Sequence, residues 1–368
     1  MFVLLTTNIK EHTFTYKVGL NVNCENIWFT DVDIFPCSFN NKWIRIVIVQ
    51  ENIAISPKDR FYDKFSYSAS KIILSEKYSL YDLDTIKKFN LKFGSGYIDN
   101  FSALGRTDIL DYLLRNQSIN EDSYSQDVLD RASSNNKVDV LQWWFNSGLP
   151  LKYTSEAIDK ASNKGHIEVL NWWLNSGLQL KYTSDAINNT YNLDVLNWWV
   201  NSKLPLKYKS DAMDVASGKG YLHVLNWWIN SDLDLKYSRW SLDLASVNGH
   251  LEVLMWWFNS GLELKYTEKA LDDMGMYISQ HDIEVLNWWK NSGLILKYSN
   301  KALENASVKR HINILEWWRH SGLPLKYSEH TLNLIRRIGH IEVLNWWKNA
   351  GVDVDLQANE SHHTVYFD

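Results

Sequence analysis

The sequence predicts a mainly α protein of stacked helical hairpins, preceded by a small α+β segment. Three observations carry this. Eight Trp-Trp pairs recur from Trp143-Trp144 to Trp346-Trp347, with successive spacings of 29, 26, 29, 29, 32, 29 and 29 residues. A fixed period of this size marks a repeat array, in which each repeat buries its apolar face only against its neighbours. Within a period, two short stretches place apolar residues at helical spacing. Residues 1 to about 90 lack the period altogether. Such an array is expected to be an elongated solenoid, whose long side surface favours binding over chemistry.

Composition narrows the class. The chain has 368 residues, more than one compact core usually needs. Of its 19 tryptophans, only Trp28, Trp43 and Trp240 lie outside the pairs, so the indoles belong to the repeat. A net charge of -5 argues against a protein built mainly to neutralise phosphates. Cys24 and Cys37 are too few to staple the chain and lack zinc-site spacing, so free thiols in a reducing compartment are expected. Phe2-Val3-Leu4-Leu5 is shorter than the ~7–15 apolar residues of a signal-peptide core. No run approaches the ~18 apolar residues of a membrane span. The expectation is a soluble, intracellular monomer with no cofactor, no metal and no membrane contact.

The elements follow in order. His12 to Leu20 and Trp43 to Val49 are rich in β-branched and aromatic residues and read as strands. Asp84 to Phe89 reads as a short helix, so 1–93 is expected to be a small α+β domain. The stretch from Gly105 keeps the repeat frame with Tyr112-Leu113 in place of Trp-Trp, a degenerate first repeat. About nine repeats then fill 94–354. The tail 355–368 is too short for a further domain and is expected to fray.

Residues 154–182 show how a repeat works. Thr154 or Ser155 can cap a helix, and Glu156 suits the positive end of its dipole. Ile158 and Ala161 give that helix an apolar side, and Gly165 ends it. A second helix starts near Glu168, where Val169, Leu170 and Trp173 share one buried face, and Gly177 stops it.

The run Gly165-His166-Ile167-Glu168-Val169-Leu170, with Trp173-Leu174 and Gly177, resembles the ankyrin repeat. The same frame recurs at Gly249 and Gly339, and the resemblance covers about residues 94 to 354. The Trp-Trp variant followed by Leu-Lys-Tyr is similar to a paralogous set of ankyrin-type proteins in giant, mimivirus-type viruses. The resemblance implies an ankyrin-like helical-hairpin solenoid that acts as a protein-interaction scaffold. Ankyrin repeats run 33 residues, and these run 29. The missing residues fall on the projecting β-turn finger, predicting a tight link over Leu178-x-Leu180-Lys181-Tyr182-Thr183. Because ankyrins often bind through those fingers, their binding residues do not transfer. Two repeats differ in length: 183–208 loses its inter-helix turn, and 267–298 gains residues at Met274-Gly275-Met276-Tyr277.

Stacking turns each repeat position into a column, with neighbouring helices about 8–10 Å apart. His166, His250 and His340 therefore cannot converge on one metal ion, and a structural turn role is expected. Asp130, Asp159, Asp214, Asp243, Asp272 and Glu304, with Asn188 and Asn333, stand where ankyrins carry a His that bonds the neighbouring link. Carboxylates accept such bonds equally well. An acidic binding stripe is the other reading. Lys152, Lys181, Lys207, Lys236, Lys265, Lys297 and Lys326 could meet a polyanion, or lie with stems on apolar surface.

The paired tryptophans divide. Trp144, Trp173, Trp199, Trp228, Trp257, Trp289, Trp318 and Trp347 take the buried position and are expected as structural core. Their predecessors are rotated by about 100°. Of these, Trp172, Trp198, Trp227, Trp256 and Trp288 are the candidate interaction surface, with packing between repeats as the alternative. The position after the pair is buried in ankyrins, yet runs Phe145, Leu174, Val200, Ile229, Phe258, then Lys290, Arg319, Lys348. The three charges predict exposure in the last repeats and join the candidate surface. His362-His363 has no partner set, and no phosphate loop, nucleophile elbow or metal spacing occurs. The leading expectation is a non-enzymatic scaffold with a protein partner, a host protein in host cytoplasm if the source is viral. The alternative is a polyanion or glycan binder using the Lys or outer Trp columns. An enzyme confined to the N-terminal domain is a third, and a ubiquitin-ligase adaptor module there stays open.

Overall fold

The computed structural model describes residues 2–6, 18–31, 42–49, 56–60, 63–276, 281–352 and 354. The chain divides into two compact units, Met1–Ala186 and Ile187–Asp368. Among the described residues no helix is long and apolar enough to cross a membrane.

The N-terminal unit opens on six strands, β1 (Phe2–Thr6), β2 (Gly19–Asp31), β3 (Trp43–Ile48), β4 (Ser56–Arg60), β5 (Asp63–Leu74) and β6 (Tyr78–Ser79). All pairings are antiparallel, in the order β4-β5-β2-β1-β3-β6. β5 also pairs with β3, so β1, β2, β5 and β3 close on themselves and leave fewer open edges. Leu4, Ile44, Val47, Ile72 and Leu74 are buried there. The strand expected at Trp43 to Val49 lies at Trp43–Ile48. Of the strand expected at His12 to Leu20, residues 12–17 lie outside the described residues, and the described strand starts at Gly19. The expected helix is α1 (Leu83–Phe89), capped by Asp82, whose carboxylate accepts from the Thr85 amide at 2.9 Å. A cluster of Tyr81, Phe93, Tyr97 and Phe101 then joins this segment to the first hairpin, with Phe93 and Phe101 edge to face at 5.1 Å.

The hairpins follow. The N-terminal unit holds α2 (Ser95–Leu104) with α3 (Thr107–Arg115), α4 (Val128–Ser134) with α5 (Val138–Asn146), and α6 (Glu156–Asn163) with α7 (Ile167–Asn175). The single turn α8 (Asp185–Asn188) stands at the boundary. The C-terminal unit continues with α9 (Leu193–Asn201), α10 (Asp211–Gly218) with α11 (Leu222–Ile229), and α12 (Trp240–Val247) with α13 (Leu251–Asn259). It ends with α14 (Lys269–Asp272) and α15 (Asp282–Asn291), α16 (Lys301–Val308) and α17 (Ile312–His320), and α18 (Glu329–Ile338) and α19 (Ile341–Asn349). These are helical hairpins joined by short links: residues 179–183 run without helix, strand or turn. The length variants sit between helices, as the sequence implied. Where the glycine turn is lost, Asn192 caps α9 by accepting from the Asp194 amide. At the insertion, Asp273–Gly275 forms a 3-10 turn that buries Met274, and Tyr277 lies outside the described residues. Cys37 and 355–368, with the His pair, also lie outside them.

One bond type ties consecutive hairpins together. The second indole of each pair is at most 1% exposed, from Trp144 to Trp347. A buried indole N–H needs an acceptor. In the N-terminal unit Trp144 and Trp173 donate to Ser102 and Ser133, one hairpin earlier, at 3.0 Å. In the C-terminal unit Trp257, Trp289 and Trp347 donate to Ser217, Ser246 and Ser307 at 2.9 Å. These serines are buried, and the Ser217 hydroxyl itself donates to the Met213 carbonyl at 2.7 Å.

Turn positions after the second helices require positive φ. Gly177 supplies it at 73°, whereas Lys203 is held at 60°. An L-residue pays about 1–2 kcal/mol there. After allowing for the greater freedom of unfolded glycine, Lys203→Gly is expected to raise stability by about 0.5–1 kcal/mol. The measurement is a urea midpoint at unchanged m-value, and a lower midpoint would contradict it.

Candidate functional site

The links between hairpins are fully engaged. Tyr153 lies against the buried Trp173, centroids 4.8 Å apart, and its hydroxyl donates to the Gln179 carbonyl at 3.0 Å. Lys181 sits 4.3 Å over the Tyr153 ring and donates to the Tyr153 carbonyl at 3.1 Å. The C-terminal unit repeats the arrangement: Lys297 lies over Tyr266, and Lys326 over Tyr298. Each ammonium therefore already has a π face beneath it and a carbonyl beside it. Lys152, Lys236 and Lys265 stack likewise on Tyr124, Tyr208 and Tyr237.

The five aspartates of the acidic column and Asn188 are buried and face the same links, whereas Glu304 is half-buried, accepting from the Thr331 hydroxyl at 2.7 Å, and Asn333 is exposed. Asp159 accepts from the Thr183 amide at 2.9 Å and from its hydroxyl at 2.8 Å. Asp130 does the same for Thr154, Asp214 for Ser238, Asp243 for Thr267 and Asp272 for Ser299. Asn188 accepts from the Lys209 amide at 3.0 Å. Thr183 in turn accepts from the Asp185 amide and so caps the next helix. Desolvation pushes Asp130, Asp159, Asp243 and Asp272 above the ordinary carboxylate range, with the hydroxyl and amide donors opposing it. These carboxylates are structural, and no acidic stripe faces outward from them. The histidines serve the turns: His166 Nε2 lies 3.3 Å from the Ser134 carbonyl, and burial holds His166 and His250 below the usual imidazole value.

What remains open is the outer face of the second helices. Trp172, Trp198, Trp227, Trp256 and Trp288 are half-buried there. Their N–H groups are partly spent: Trp172 donates to Gln142 at 3.0 Å, and Trp227 and Trp256 donate to Asn197 and Asn226 at 2.8 Å. The last repeat departs, since Trp346 is buried and its N–H has no partner among the described residues. The position after the pair corrects the ankyrin-based expectation. It is exposed in most of the early repeats too, Phe145 by 43%, Val200 by 43%, Ile229 by 37% and Phe258 by 45%, whereas Leu174 is half-buried. The wide indole before it fills the inter-repeat space and turns that residue outward. Lys290, Arg319 and Lys348 are also exposed, Arg319 paired with Glu316 at 2.6 Å.

These residues frame the same groove twice. In the N-terminal unit, a cleft of about 400 Å³ between α5 and α7 includes Gln142, Phe145, Asn171 and Trp172. In the C-terminal unit, one of about 520 Å³ between α9 and α11 includes Asn197, Val200, Asn226 and Trp227. Each offers an indole, an apolar side chain and carboxamides, a set suited to recognition, with one ionisable residue beside them, Glu168 in the first and His223 in the second.

The buried carboxylates generate a pH test. A folded-state pKa raised above the unfolded value means the native chain binds protons more readily, so stability falls as pH rises through that window. Acidification from neutral pH toward the ordinary carboxylate range therefore stabilises through these groups. Asp159→Asn keeps an acceptor for Thr183 and is expected to flatten this rise. Asp159→Ala strands the Thr183 donors and is expected to cost about 1–3 kcal/mol. Urea denaturation between neutral and mildly acidic pH reads both; a rise that Asp159→Asn leaves untouched would contradict the assignment.

No family profile matches the chain. Over 84 residues it is 42% identical to "Uncharacterized protein L696" of Acanthamoeba polyphaga mimivirus, a stretch covering 22% of this chain. It thus spans 26% of that relative's length. Among solved structures, the human ASB11 ankyrin repeat domain aligns at a TM-score of 0.28 and 13% identity, covering 55% of this chain and 86% of that one. The maize pentatricopeptide repeat protein PPR10 aligns at 0.32 and 13%, covering 70% and 44%. Both scores are too low for either likeness to carry weight. Over the matched stretch the chain is similar to a protein of a giant virus.

Proposed function

We propose that this protein is a non-enzymatic scaffold that binds another protein through the outer face of its second helices. The observation that supports it is the row of exposed apolar side chains after the Trp-Trp pairs, beside the half-buried indoles. Phe145 in the N-terminal unit, and Val200, Ile229 and Phe258 in the C-terminal unit, are large apolar side chains left open to solvent, and exposed apolar surface of this kind marks interaction sites. The candidate surface comprises Trp172, Trp198, Trp227, Trp256 and Trp288 with Lys290, Arg319 and Lys348. In this reading 94–354 supplies the surface, and 1–93 is a domain with its own specificity.

A polyanion would need the lysine column, whose ammonium groups are already placed on tyrosine rings. Catalysis would need facing ionisable groups, whereas the buried carboxylates are each tied to the next hairpin's backbone. The viral relative supports a host protein as the partner, met inside the host cell.

The test is capture by the tagged full chain from host-cell lysate at low and high salt, after nuclease treatment. A Val200→Asp/Ile229→Asp/Phe258→Asp variant runs beside it, with circular dichroism to confirm folding. The expected result is a protein retained at high salt and lost by about tenfold or more in the variant, the effect of ~1.4 kcal/mol. Capture that nuclease abolishes, or that the folded variant retains, would contradict the proposal.

A further inference from the structure

In the C-terminal unit the exposed row has an internal order. Successive second helices present Val200 on α9, Ile229 on α11, Phe258 on α13, then Lys290 on α15, Arg319 on α17 and Lys348 on α19. Three apolar positions are followed by three cations at one structurally equivalent site. A core requirement would not sort residues this way, because none of the six positions is buried.

A second feature runs beside the row. Asn197, Asn226 and Asn287 are exposed, and each carboxamide oxygen accepts an indole N–H from the following hairpin, Trp227, Trp256 and Trp317, at 2.8 Å. That bond fixes the amide. The Nδ2 donors of these three residues bond nothing among the described residues. The groove between α9 and α11 is lined by Asn197 and Val200 from one helix and by Asn226 and Trp227 from the other. The surface thus offers oriented amide donors beside side-chain pockets.

We infer that this face takes an extended segment of the partner protein, apolar through one half and carrying carboxylates through the other. The inference rests on the second-helix face being the binding surface. Charge complementarity selects the carboxylates, opposite Lys290, Arg319 and Lys348. The Asn donors select an extended main chain, whose carbonyls are free to accept; an α-helix has spent its own. The spacing agrees. Neighbouring helices lie about 8–10 Å apart, and a polyproline II chain returns a side chain to one face every third residue, about 9 Å on. One partner residue in three would meet each hairpin in turn. A nucleic acid would place phosphates against Val200, Ile229 and Phe258, which offer them nothing.

The test is fluorescence anisotropy with the full chain and labelled synthetic peptides. One peptide carries leucine at every third position in one half and glutamate at every third in the other, made in both chain directions. A second set replaces glutamate by lysine, and a third replaces leucine by serine. The wild-type chain is expected to prefer the glutamate peptide over the lysine peptide by about tenfold or more. Lys290→Glu/Arg319→Glu/Lys348→Glu is expected to invert that preference, and added salt to shrink it. Serine peptides are expected to bind at least about tenfold more weakly. No binding, no preference, a preference that charge reversal leaves in place, or tighter binding of a single-stranded oligonucleotide would overturn the inference. Its failure is separable from that of the scaffold reading: loss of lysate capture in the apolar-row variant would leave the scaffold standing while the peptide result removed its acidic partner.

Discussion

The indole N–H of the second tryptophan in each pair governs how these hairpins stack. Trp here replaces the leucine of an ankyrin core, adding apolar area together with one polar hydrogen that cannot be left bare. An unsatisfied buried donor costs about 1–3 kcal/mol. A serine one hairpin earlier meets it at Trp144, Trp173, Trp257, Trp289 and Trp347, as Ser133 does for Trp173 and Ser217 for Trp257. The bond sets distance and rotation between neighbours at once, because indole and serine both sit on rigid helices. The tyrosine of the link then lies on the same indole, and the next link's lysine on that tyrosine. Ser133, Trp173, Tyr153 and Lys181 thus form one stack across their interface, and the short link suffices because its side chains do the joining.

This arrangement separates structure from recognition within a single dipeptide. The second indole, the links and the buried carboxylates are consumed in holding hairpins together. The first indole is held by a carboxamide of the preceding hairpin and stays half-exposed, as Trp227 is by Asn197. With the second indole filling the core, the residue after the pair stands at the surface in most repeats. The sequence can then vary that residue from phenylalanine to lysine without disturbing the stack, the freedom a binding surface needs.

Much of this was legible in the residues. The period located the hairpins, the glycines their turns, and the helical phase separated the two tryptophans. The aspartate column was recognisable as link-bonding from its frame position. The serines were not, because a small residue in a helix interior reads as a spacer; the recurrence of Ala-Ser at 132–133, 161–162, 216–217, 245–246 and 306–307 was the available signal. Exposure after the pair was hidden by the analogy to a leucine core, which omits the bulk of the indole. In the N-terminal segment, the alternation Phe65-Ser66-Tyr67-Ser68-Ala69-Ser70 was the available signal for β5. The closure of β5 onto β3 depends on non-local pairing that no local pattern encodes.

The most direct test of the interlocking bond is a double-mutant cycle in the full chain with Trp173→Phe and Ser133→Ala, read by urea unfolding. Each single change removes one partner, and the cycle cancels the cavity and packing losses that each carries alone. If the indole–serine bond joins the hairpins, the two changes couple by about 1–2 kcal/mol. Additivity within ~0.3 kcal/mol would contradict the account and leave the hairpins held by packing alone.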